Sequence, residues 1–218
     1  ARSKGLIVIC DGKRNDIGST AEAYSSAYLG ETELDERNLA VFGADALTVN
    51  PYLGYDGIKP FEDDCRKYGK GIFILVKTSN KSSGDIQDLT TRDGKSIYEV
   101  VAGKVNEWGE GLIGKYGYSS IGAVIGATYP EQARSLRRIM KKAYILVPGY
   151  GAQGGAASDA ANCFDENGMG AIVNASRSVI FAYKSERYAN DYGAERFSEA
   201  ARAEAIRMRE DINNAVRL

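Results

Sequence analysis

Gly5-Leu6-Ile7-Val8-Ile9-Cys10 runs without interruption into Asp11-Gly12-Lys13-Arg14-Asn15-Asp16-Ile17-Gly18-Ser19-Thr20. The first six residues predict a fully buried strand, β-branched and almost continuously apolar, and only four residues precede them. Side chains alternate faces along a strand, so Asp11 and Lys13 are expected on one face, with Asp16 following in the loop near enough to join them. Two carboxylates bracketing a lysine hold it oriented as an ammonium, which suits a proton donor better than a base. The same residues also fit an acid-decorated helix start, with Asp16 or Ser19 as the cap and Lys13 in solvent.

Working outward, five further apolar runs resemble the first: Ala46-Leu47-Thr48-Val49, Ile72-Phe73-Ile74-Leu75-Val76, Ile121-Gly122-Ala123-Val124-Ile125, Tyr144-Ile145-Leu146-Val147 and Ala171-Ile172-Val173. Between them lie helical patterns, among them residues 96–108, 130–140 and 157–164, and residues 194–216 predict one long terminal helix. Strands alternating with helices, nearly free of polar residues inside the strands, indicate an α/β fold with a parallel sheet. There is no low-complexity tract or Pro-rich linker, so residues 1–218 are expected to be one domain. Nearly every strand ends in a polar or Gly-rich segment, and a barrel gathers such ends at one mouth. A TIM (β/α)8 barrel is therefore favoured over an open sheet. It requires eight strands, so the six units are expected to be an N-terminally incomplete set. If these 218 residues were the whole molecule, exposed strand edges would leave it inactive or unfolded. A longer parent chain is the simpler expectation.

The 28 basic and 29 acidic residues give a formal net charge of -1, so no basic field points to nucleic acid or an anionic membrane. No apolar run approaches the length of a membrane span and no secretory leader pattern is present, which makes the cytoplasm the expected location. Cys10, Cys65 and Cys163 form no CxxC pair; Cys10, ending an apolar run, is expected to be a core thiol. Histidine is absent altogether. Serine–histidine and cysteine–histidine triads and His-ligated zinc are thereby excluded, and any acid–base work falls to lysine and the carboxylates.

A second candidate element is the loop Pro148-Gly149-Tyr150-Gly151-Ala152-Gln153-Gly154-Gly155, which follows a strand and opens a helix. Its glycines let backbone N–H groups approach an anion, and Gln153 adds a side-chain donor. One unit later Asn174-Ala175-Ser176-Arg177 ends the last strand. Barrels often hold phosphate between the loops after strands seven and eight, the places these loops take if two strands precede. Arg177 would clamp such a phosphate. No Walker loop or dinucleotide-binding fingerprint is present.

Together these motifs resemble the orotidine monophosphate decarboxylase family. Residues 11–20 resemble its DxKxxDI signature. VNPYLG at 49–54, KTSN at 77–80, GATYPE at 126–131, LVPGYGAQGG at 146–155 and IVNASR at 172–177 look like its longer bacterial subgroup. The resemblance implies a barrel enzyme of pyrimidine synthesis that removes CO2 from the pyrimidine C6 to give UMP, with no metal or cofactor. It implies that Lys13 protonates the carbanion, that Asp11 lies against the departing carboxylate, and that Asp16 belongs to the same charged network. Asp16, Ile17 and Thr20 would reach across a homodimer interface, Ser79 would touch the ring, and Pro148, Gln153 and Arg177 would lie at the substrate, the last two gripping its phosphate. The family's ribose-binding aspartate and second catalytic lysine, carried on its first two strands, are not in this sequence. Two alternatives stand beside this reading: a magnesium-dependent sugar-phosphate decarboxylase of the same barrel group, and a non-catalytic phosphate-binding barrel fragment.

Overall fold

A computed structural model describes residues 1–151 and 154–216. Strand β1 (Ile9–Arg14) is followed by α1 (Gly18–Tyr28), a hairpin of β2 (Thr32–Leu34) and β3 (Arg37–Leu39), then β4 (Ala46–Val49), α2 (Lys59–Tyr68) and β5 (Gly71–Lys77). Next come α3 (Gly84–Gln87), α4 (Ile97–Gly109), β6 (Ser119–Ile125), α5 (Pro130–Ile139), β7 (Ala143–Val147), α6 (Ala157–Ala161), β8 (Ala171–Val173), α7 (Arg177–Ile180), α8 (Ala189–Tyr192) and α9 (Phe197–Val216). Six strands form one sheet in the order β1-β4-β5-β6-β7-β8, with every neighbouring pair parallel. Among the described residues no ladder joins β1 to β8, so the sheet is a curled half-barrel with two edges.

Alternation along the strands divides the apolar residues into two layers, as burial on both faces of a parallel sheet requires. Leu47, Val49, Ile72, Ile74, Val76, Ile121, Ile125, Ile145 and Val147 face the helices, where they meet Phe61 of α2, Val105 of α4 and Leu136 of α5. Ala46, Phe73, Val124 and Leu146 make a separate inner cluster, against which Ile9, Leu75 and Tyr144 pack. The helices begin as their sequences dictate: Pro130 opens α5, and Ser96 with Glu99 closes a capping box on α4.

The first strand lies four residues later than expected. Leu6 and Ile7 are 61% and 76% exposed, and pairing starts only where Ile9 meets Ala46. The short strand β4 begins only at Ala46 and so sets where the ladder starts; Val8 still accepts hydrogen bonds from the Asp45 and Ala46 N–H groups, and Leu6 and Ile7 lie beyond that edge. The strand therefore continues through Asp11 and Lys13 rather than stopping at Cys10. Cys10 is only partly buried, whereas Cys65 and Cys163 are buried. Helix α6 is shorter than the expected 157–164 and gives way to turns. Among the described residues no helix is long and apolar enough to cross a membrane.

Candidate active site

At the carboxyl ends of the strands lies a cavity of about 790 Å³, lined by Asp11 and Lys13 from β1, Ser79 after β5, Pro148 after β7, and Asn174 and Ser176 after β8. Its floor is the inner apolar layer, represented by Leu75, Val124 and Leu146.

Asp11 and Lys13 do share a face. Lys13 Nζ donates to both carboxylate oxygens of Asp11 at 2.6 Å. The Asp11 side chain remains 65% exposed and that of Lys13 51%, so the ion pair is open to the cavity. Lys13 has a left-handed backbone, φ 46°, and the β1–β4 register shifts between Cys10 and Arg14. A non-glycine residue in that region is strained, and a strand irregularity of this kind re-aims the side chain that follows it. Thr48 supports the distortion: its hydroxyl donates to Asp11 Oδ1 at 2.9 Å and accepts the Lys13 backbone N–H at 3.0 Å. Burial works to raise the Asp11 pKa, but the hydrogen bonds from Lys13 and Thr48 and the lysine's charge outweigh it and hold the carboxyl below its ordinary range.

Thr48 carries no role in the sequence reading, although a signal existed. It is the one polar residue in an otherwise apolar, fully buried β4, and it is 1% exposed. A buried hydroxyl needs partners, and here they are the two candidate catalytic residues.

Asp16 is half-buried and does not line the cavity. Its carboxylate accepts the Ile17 N–H at 2.9 Å, and among the described residues it forms no ion pair with Lys13. Helix α1 then starts at Gly18 without a side-chain cap. Ile17 and Thr20 are exposed and lie outside the cavity lining. The loop after β4 lies beside this segment, since a Cβ on Gly57 would sit 3.0 Å from the Asp16 carbonyl oxygen.

Ser79 is held against the loop after β6. A Cβ on Gly126 would come within 2.8 Å of Ser79 Cβ and 2.9 Å of its Cα, so only glycine permits this approach. In the Gly-rich loop, Gly149, Gly151 and Gly154 all have positive φ, and buried Tyr150 donates to Asp211 of α9 at 2.6 Å, which fastens the loop to the terminal helix. Gln153 lies outside the described residues. Arg177, the first residue of α7, is exposed and next to the cavity-lining Ser176, but does not itself line the cavity. The structure thus brings Asp11, Lys13, Ser79 and Pro148 to one cavity, and leaves Asp16, Ile17, Thr20 and Arg177 around it. Among the described residues no three Cys, Asp or Glu side chains cluster to hold a metal ion.

The model of the orotidine 5'-phosphate decarboxylase / HUMPS family matches residues 1–192. An orotidine 5'-phosphate decarboxylase of Caldicellulosiruptor saccharolyticus is 51% identical over 216 residues, covering 99% of this chain and 68% of that protein. One from Rhodopirellula baltica is 50% identical over 97% of this chain and 69% of its own length. Among solved structures, the OMP decarboxylase of Leishmania donovani superposes with a TM-score of 0.73 at 29% identity, over 98% of this chain and 70% of that one.

Proposed function

Because the chain belongs to the orotidine 5'-phosphate decarboxylase / HUMPS family, we propose that it decarboxylates orotidine 5'-monophosphate to UMP in pyrimidine biosynthesis, with Lys13 delivering the proton to C6. The observation that carries this reading is the Asp11–Lys13 ion pair, with 2.6 Å separations, opening onto the cavity that Ser79 and Pro148 also line.

In the step proposed, the bond between C6 and the carboxylate breaks, its electron pair stays on C6, and CO2 leaves. The Lys13 ammonium gives its proton to C6 and takes another from solvent. Asp11 orients Lys13 and presents a negative charge where the substrate carboxylate arrives, a repulsion relieved as CO2 departs. A pyrimidine ring over the inner apolar layer places its polar edge toward Ser79. The phosphate falls to the loops after β7 and β8, with Gln153 and Arg177 as its grip, and its binding energy orders the loops around the reacting carbon. No metal or cofactor has a part in this step.

The same reading makes the six strands part of an eight-stranded barrel forming one domain, working in the cytoplasm as a homodimer. Exposed Ile17, Tyr52 and Leu53, on the adjoining loops after β1 and β4, support a second copy seated there, with Asp16, Ile17 and Thr20 turned toward its site.

The decisive experiment follows orotidine monophosphate by ultraviolet absorbance, with Lys13→Ala beside the parent protein. Turnover by the parent that persists under chelation and is lost in the variant is expected. Activity unchanged by the substitution would remove Lys13 as donor, and activity abolished by chelation would favour the magnesium-dependent alternative. Mixing the Lys13→Ala and Asp16→Ala proteins tests the dimer: sites shared between protomers regain activity in the hybrid, and separate sites do not.

A further inference from the structure

The last residue of β5, Lys77, has no place in the chemistry above, yet it is fully buried and is not among the residues lining the cavity. Its Nζ donates to Asp88 Oδ1 at 2.6 Å and to Ser83 Oγ at 3.3 Å. The ammonium lies 4.4 Å from the ring centroid of Tyr129 and 5.6 Å from that of Tyr98, so two aromatic faces replace much of its lost water. Asp88 is half exposed. A buried cation with one partly solvated partner is a costly way to fill space, and a methionine would fill it without that desolvation. Packing alone does not account for a lysine.

What the ammonium does, and an apolar side chain could not, is fasten the far end of residues 78–88 to the strand they leave. Gln87 makes the parallel tie: its Oε1 accepts the Thr78 N–H and its Nε2 donates to Thr78 Oγ1, both at 2.9 Å. Thr78 Oγ1 in turn donates to Asn80 Oδ1 at 2.6 Å. The segment is a closed loop, stapled at 77–78 against 83–88, and Ser79, Ile86 and Gln87 line the cavity from it.

We infer that Lys77 is a positioning residue: its buried ion pair with Asp88 and hydrogen bond to Ser83 hold the 78–88 loop, and with it Ser79, at the end of the cavity that takes the pyrimidine ring. The inference rests on the ring orientation proposed above. Lys77 never touches substrate; it acts through the loop. Loosening the loop therefore weakens recognition of the ring and leaves recognition of the phosphate, held after β7 and β8, as it was.

The test compares Lys77→Met and Asp88→Ala with the parent protein, measuring turnover of orotidine monophosphate and the dissociation constants of UMP and of ribose 5-phosphate. Expected in both variants is a loss of roughly 10- to 100-fold in kcat/KM, with UMP weakened and ribose 5-phosphate unchanged. Equal weakening of both ligands, no weakening of either, or failure of both variants to fold would assign the cluster to general stability and overturn the inference. Asp88→Ala removes the tie from its half-exposed end, so misfolding of Lys77→Met alone leaves a reading. A parent protein that binds both ligands but does not decarboxylate orotidine monophosphate would instead overturn the proposed function.

Discussion

Two lysines in this chain each meet an aspartate oxygen at 2.6 Å near the carboxyl end of a sheet strand, and their surroundings are opposite. Lys13 is half exposed, sits on strained backbone and opens onto the cavity. Lys77 is fully buried behind the loop and caged by Tyr129 and Tyr98. An ammonium that gives up a proton each turnover must reach substrate and water. One that braces a loop must be kept from both. On the function and the positioning role proposed above, the same pairing chemistry serves two ends, and solvent access decides which.

The largest effect expected from breaking this contrast is at Lys13. Lys13→Ala is expected to lower kcat by about 10²- to 10⁴-fold, the range for loss of a positioned general acid, while the thermal midpoint stays near that of the parent, because the ion pair lost is exposed. A large fall in stability with intact turnover would exchange the roles of the two lysines.

Most of the fold was legible in the sequence because β4 to β8 of the main sheet fall on apolar runs and β1 begins at the end of one, and the helix-facing layer and inner layer follow from simple alternation. Three things were less legible, each for a physical reason. Periodicity alone puts β1 too early, since it ranks Leu6 and Ile7 above Asp11 and Lys13, whereas pairing with β4 decides. The hairpin β2–β3 turns through Asp35 and Glu36, both at positive φ without a glycine or asparagine to announce it. Lys77 directly follows the apolar run 72–76, no sequence signal marks it as buried, and only tertiary packing encloses it. At the site, the two-residue spacing puts Asp11 and Lys13 on one face, where they pair. Asp16, expected in the same cluster, makes no ion pair with Lys13 among the described residues, Thr48 is signalled only as a polar residue in an apolar strand, and Arg177 lies beside the cavity rather than in its wall.

A smaller effect is expected where the two regions meet the loop between them. Gly126→Ala places a methyl group within 3.0 Å of the Ser79 backbone, so Ser79 must move. A displacement approaching 1 Å is expected to lower kcat/KM by roughly 10- to 100-fold, again through the ring and not the phosphate. Parent-like kinetics for this variant would mean that Ser79 does not need its present place.

Stability separates the two aspartates. Asp88→Ala leaves the Lys77 ammonium buried without its carboxylate and is expected to cost about 1–3 kcal/mol, less than the 3–5 of a fully buried pair because Asp88 is half exposed. Urea unfolding measures it. Asp11→Asn, at an exposed pair, is expected to change stability by no more than about 0.5 kcal/mol. Equal costs at both positions would deny that burial distinguishes the pairs.

The smallest effect is the pH dependence of the exposed pair, and its sign follows from the depressed Asp11 pKa. In the folded chain the Lys13 and Thr48 hydrogen bonds and the lysine's charge overcome the opposing effect of burial, so the carboxyl stays ionised to lower pH than in the unfolded chain. As pH falls, the unfolded state takes up this proton first. The contribution of Asp11 to stability is therefore fully present above the ordinary carboxylate range and is lost as pH falls through the depressed folded value. The difference in urea midpoint between parent and Asp11→Asn should be constant from about pH 5 to pH 8 and shrink only below about pH 4. A difference that instead changed near neutrality would tie Asp11 to a group titrating there, and the tight pairing with Lys13 would no longer describe how this carboxylate is held.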